Sequence, residues 1–174
     1  MRIRLFAILI LAFMGGGAAM AAVPEVPAAW QKVMLAGTAL TVDLPGAAVK
    51  DEDIVQGGLR SVAYRVNDGP NKSYITRADQ VPAGGSIEGR FERARDGASG
   101  LGTLRAERAL AARDGAEGRE FVIDSIGGTE PYTTVTRIYL HGDWTYALVA
   151  TVPRGTERGA VVARFLDSAR FANR

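Results

Sequence analysis

Cysteine is absent from the 174 residues, which excludes disulfides, thiol catalysis and any metal site that needs a thiolate. Histidine occurs once, at His141, so clusters of histidine for metal binding or proton relay are excluded too. Serines stand at 61, 73, 86, 99, 125 and 168, and none lies in the G-x-S-x-G elbow that exposes a nucleophile. There is no run of lysine and arginine, the usual electrostatic footprint of a nucleic-acid or anionic-membrane binder. Beyond residue 22 no apolar stretch approaches the roughly 20 residues of a membrane helix.

What is present starts with the N-terminus. Arg2 and Arg4 precede an apolar run from Leu5 to Met14, and Ala19-Met20-Ala21 closes the segment. A positive start, a short apolar core and a small-residue exit describe a secretory signal peptide over 1–21. The order predicts export to the periplasm or beyond, with Ala22 as the mature N-terminus. No cysteine follows the run, so lipid anchoring is not expected and a soluble product is. Cleavage would remove two of the 21 basic residues and no acidic one, leaving 19 of each sign. The basicity of the chain therefore belongs largely to its leader. Residues 22–29, with two prolines, read as a flexible lead-in, and 30–174 has the length of one domain.

Along that domain the apolar period is mostly two. "TALTVDLPG" alternates Leu40, Val42 and Leu44 against polar neighbours and stops at Pro45-Gly46, a half-buried strand for which "WQKVMLAG" is the expected hairpin partner. "AVKDEDIVQGG" reads as a polar loop. "SVAYRV" and "SYITRA" flank turn residues and predict a second hairpin. After Ser86, a good N-cap, Ile87, Phe91, Ala94, Ala98 and Leu101 fall at helical spacing, ended by Gly100 and Gly102. "EGREFVIDS", "YTTVTRIYL" and Trp144 to Val152 are further strands. A last helix is expected from a Thr156 cap, with Val161, Val162, Phe165 and Leu166 as its stripe.

The last three strands can be placed in register. A two-residue Gly142-Asp143 turn sets His141 opposite Trp144, Tyr139 opposite Tyr146 and Arg137 opposite Leu148. A six-residue "IGGTEP" loop sets Glu120 opposite Arg137 and Val122 opposite Val135. One face then carries Val122, Val135, Tyr139, Tyr146 and Leu148. The other carries Phe121, Ile123, Ile138, Leu140, Ala147 and Val149. Both faces are apolar, so both need cover. With two amphipathic helices available, the expected fold class is α+β: a twisted antiparallel sheet flanked by helices.

The order "ALTVDLPG", "YRV", "FERARDGASGLG", "EGREFVID", "TRIYLHGDWTYALV" and "ARFLDSARF" resembles small exported bacterial proteins of uncharacterised function, over about Trp30 to Phe171. Their domain is similar to the α/β/α sandwich of the PsbP family, which includes extrinsic proteins of the oxygen-evolving complex and a Ran-binding protein. The resemblance implies that "TLRAERALAA", ambiguous by composition, is a strand. It also implies a non-enzymatic role in partner binding or assembly. The chain departs from that set at Ala169, where an aromatic usually stands, so looser packing of the terminus is expected.

His141 with Asp143 could serve as general base and orienting acid, but a tight turn accounts for the same letters. Asp51-Glu52-Asp53 could offer oxygen to calcium; a solvated loop is the better reading. "GASGLG" ends a helix instead of opening one and so is no dinucleotide turn. No catalytic, cofactor-binding or metal-ligating residue is assigned, and no cofactor is expected. Glu120, Arg137, Tyr139, Trp144 and Tyr146 are the candidate contacts for a protein partner or, alternatively, for a small apolar ligand held between sheet and helix.

Overall fold

The computed structural model describes residues 29–69, 71–82, 84–127 and 130–172. The expected leader, and all of the lead-in but Ala29, lie outside the described residues. In chain order the elements are β1 (Trp30–Met34), β2 (Leu40–Pro45), β3 (Val49–Gln56), β4 (Leu59–Asn67), β5 (Ser73–Gln80) and α1 (Ile87–Ser99). They continue with β6 (Thr103–Arg113), β7 (Ala116–Gly127), β8 (Glu130–His141), β9 (Trp144–Pro153), α2 (Ala160–Asp167) and β10 (Arg170–Phe171).

Seven strands form one antiparallel sheet in the order β3-β4-β5-β9-β8-β7-β6, and β1-β2-β10 form a second, smaller sheet. This corrects the expected helix-flanked α+β sandwich. Among the described residues 58% lie in strands and 15% in helices. Both expected helices are present, but on the face that α2 covers, much of the cover is the small sheet. Leu40, Val42 and Leu44 of β2, all fully buried, share one core with Tyr74, Tyr146 and Leu148 of the large sheet and with Val162, Phe165 and Leu166 of α2. A three-stranded sheet presents apolar side chains every second residue and closes that core without a long helix.

"VKDEDIVQ" is a second correction: it is β3, an edge strand, and not a loop. Period two fails to announce it because its described residues are exposed on both faces. Its acids are used locally, Asp51 with Arg65 at 2.8 Å and Asp53 with Arg60 at 2.9 Å. Charged side chains on an exposed edge also discourage pairing with other chains.

The register of β7, β8 and β9 follows the expected pairs: Glu120↔Arg137, Val122↔Val135, Tyr139↔Tyr146 and His141↔Trp144. The β7–β8 pairing runs on to Gly127↔Glu130, so the connection is shorter than six residues. Register survives because both loop lengths share one centre. "TLRAERALAAR" is a strand, as the resemblance implied.

Helix α1 begins as its sequence predicts, with Ser86 Oγ accepting the Gly89 N–H at 3.0 Å. It packs Phe91 and Ala98 on Phe121, Ile123, Ile138 and Leu140. Arg90 ties it to the β8–β9 turn by donating to the Gly142 carbonyl at 2.9 Å and the Trp144 carbonyl at 2.6 Å. Helix α2 starts later than expected, after Gly159. Thr156 closes the preceding turn instead, its hydroxyl donating to the Pro153 carbonyl.

The segment from Ala169 to Phe171 is tightly packed, with Ala169 fully buried and Phe171 buried. Phe171 supplies the aromatic two residues later, 5.1 Å from the Tyr146 ring and 5.3 Å from that of Tyr139. Gly118 makes room for this cluster, since a Cβ there would sit 2.9 Å from the Tyr139 ring.

Candidate functional site

Side chains of β6, β7 and β8 that point away from α1 face the flank of α2. The helix has only eight residues and does not reach across to β6. Between them lies a groove of about 530 Å3. Its apolar walls are Val122 and Val135 from the sheet and Val162 and Leu166 from the helix, with Ala106 and Ala163 at its sides. Four arginines, 105, 108, 137 and 158, and two glutamates, 120 and 157, complete the lining.

The polar floor is a chain of charge-assisted hydrogen bonds. Arg137 donates from Nε to Glu120 Oε2 at 2.7 Å, and Arg108 donates from Nε to Oε1 at the same distance. Arg137 Nη1 continues the chain to Asp167 Oδ1 at 2.6 Å, joining the sheet to the end of α2. The Glu120 and Arg137 side chains are 10% and 11% exposed, so this is a nearly buried pair. Burial works against the Glu120 charge. Hydrogen bonds from Arg108 and Arg137, and then their positive charges, outweigh it and hold the carboxyl below its ordinary range.

At the mouth, Glu157 accepts from Arg105 at 2.6 Å and from the Gly155 N–H at 2.8 Å. The bond from Arg105, opposed by partial burial, holds its carboxyl below the ordinary range as well. Arg158 is exposed beside it.

Of the five residues singled out in the sequence, the structure brings two together. Glu120 and Arg137 form the floor. Tyr139 and Tyr146 lie in the core under Phe171, at 2% and 0% exposure, and present no surface to a partner. Trp144 is half-buried and stacks on Tyr146 with ring centroids 6.3 Å apart. Arg105, Arg108, Glu157, Arg158 and Asp167 were missed. The Asp114-Gly115 turn was a signal for Arg108, because a hairpin there brings β6 beside β7. The exact partner depends on strand irregularities that letters do not announce.

The alternative chemistry does not assemble. His141 stacks on Phe171 with centroids 5.8 Å apart, while Asp143 accepts from Gln80 at 2.8 Å. Among the described residues no group of three or more acidic, histidine or cysteine side chains could hold a metal ion. No helix among them is long and apolar enough to cross a membrane. No protein-family model matches the chain, and no curated protein matches it either.

Proposed function

We propose that this is an exported, non-catalytic binding domain that holds a small ligand in the groove between α2 and the β6–β8 end of the large sheet. The observation that carries this reading is the groove itself. Its volume lies within the range of small-molecule sites, about 300–1,000 Å3, and it joins apolar walls to a few fixed polar groups in the usual manner of such sites. The ion chain from Arg108 through Glu120 and Arg137 to Asp167 supports it further, by fixing the floor and one wall in position.

Native mass spectrometry of protein recovered from the periplasm of a host that exports it tests the reading. Retained mass of a few hundred daltons is expected, and Ala163→Trp, an exposed helix position lining the groove, should abolish it. A bare chain in both cases counts against a ligand carrier.

A protein partner is the second reading, favoured by the exposed apolar side chains of Val49 and Val55 on β3, at 66% and 70% exposure. That reading makes Ala163→Trp silent and Val55→Lys disruptive.

A further inference from the structure

We propose that the groove selects an anionic amphiphile, whose negatively charged head meets Arg108, Arg137 and Arg158 while its apolar body lies along Val122, Val135 and Val162. This rests on the ligand-carrier reading and gives it a chemical class.

The argument is an account of donors and acceptors. A guanidinium has five N–H donors and a carboxylate has none. Both Glu120 oxygens already accept from arginine, and both Glu157 oxygens are engaged, one by Arg105 and one by a backbone N–H. The arginines are far from exhausted. Arg108 spends Nε on Glu120 and is otherwise 63% exposed. Arg137 spends Nε and Nη1, leaving Nη2. Arg158 has no hydrogen bond or ion pair among the described residues. The lining thus holds four cations against two carboxylates, and what it has left to offer is N–H donors beside apolar carbon.

Such a surface complements a carboxylate or phosphate monoester on a hydrocarbon body. A purely apolar molecule would bury these arginines without giving them acceptors, which is costly.

The test is calorimetric titration of the purified protein with octanoate, octyl phosphate and 1-octanol at low salt. Octanoate or octyl phosphate should bind at one site at least about tenfold more tightly than octanol. The stronger of the two identifies the head. Arg158→Gln should remove most of that preference with the circular dichroism spectrum unchanged. Arg108→Gln should act in the same direction. Ala163→Trp should remove binding of all three.

Equal affinity for octanol and the anions overturns the anionic selection and leaves a neutral ligand groove standing. Anion binding that survives Arg158→Gln and Ala163→Trp but is lost with Lys72→Gln, a cation at another hollow of the sheet, places the site elsewhere and overturns the inference. Absence of binding by any probe, in wild type and variants alike, overturns both the inference and the groove reading.

Discussion

Each face of the large sheet is covered over one part and open over another, and the two open regions differ in kind. On the α1 face, the helix covers β6, β7 and β8, and a hollow remains over β5 and β9. It is lined by Ile75, Thr134, Val149 and Thr151, with Asn67, Lys72 and Tyr132 at its edges. On the opposite face, β2 and α2 cover β5 and β9, and the open part is the groove over β6 to β8. The hollow has neutral hydroxyl groups bonded to each other, Thr134 to Thr151 at 3.2 Å. Its one cation, Lys72, is paired with Asp68 at 2.8 Å. The groove has a buried ion pair and arginines with donors to spare. Two gaps of similar size, about 470 and 530 Å3, therefore have different energetics. The hollow is lined by neutral and apolar side chains apart from the paired Lys72, whereas the groove carries charges whose desolvation only good geometry offsets.

The sharpest way to break this contrast is to take one member from the ion chain. Arg137→Met leaves Glu120 nearly buried with Arg108 as its remaining partner. A loss of about 3 kcal/mol is expected, the low end for stranding a buried charge because Arg108 remains. Glu120→Gln should cost less, since an amide needs no counter-ion. The double variant should recover much of the Arg137→Met loss, because no charge is then stranded. Urea unfolding of the four proteins gives the cycle. Strictly additive losses would mean that the two groups do not depend on each other, and the groove would be no different in kind from the hollow.

How far this contrast could be read from the letters depends on strand register. Symmetric hairpins were legible: the centre of "IGGTEP" places Glu120 on Arg137 for either loop length, and Gly142-Asp143 places Tyr139 on Tyr146. The β6–β7 hairpin was not. A regular ladder from the Asp114-Gly115 turn, beginning at the observed Arg113↔Ala116 pair, would set Arg108 opposite Phe121. An irregularity between Leu110 and Arg113 moves it to Glu120 instead. A second, between Leu104 and Ala106, sends Leu104 to the α1 core and lets Arg105 reach Glu157. One extra residue in a strand re-aims every side chain beyond it. These two irregularities bring Arg105 and Arg108 into the lining, and no residue type marks them. β3 was missed for a different reason: an edge strand with solvent on both faces has no apolar alternation to read.

A smaller effect sharpens the comparison through pH. The Glu120 carboxyl is held below its ordinary value of about 4.5 in the folded chain. A group depressed in this way stabilises the fold fully above its unfolded pKa and loses that contribution as pH falls through the lower folded value. The urea midpoint of the wild type should therefore fall as pH is lowered below about 4.5, and the fall should be shallower in Glu120→Gln. Two other paired carboxylates, Asp53 and Glu157, are depressed as well and set a background common to both proteins. Identical pH profiles would show that Glu120 contributes nothing beyond that background.

The least effect is expected in the hollow, and its smallness is what the contrast requires. Thr134 and Thr151 face each other across β8 and β9, and their hydroxyls bond to one another. Replacing both by valine removes donor and acceptor together, so neither is left stranded. Such paired removal is nearly neutral even where one member is buried, as Thr134 is at 3% exposure. Valine keeps the branched shape and favours strands. Stability by urea unfolding should stay within about 0.5 kcal/mol of wild type, and octanoate affinity should not change. A loss above about 2 kcal/mol would show a polar network in the hollow as demanding as the one in the groove. A loss of octanoate binding without unfolding would move the ligand across the sheet, and the arginines would then need another explanation.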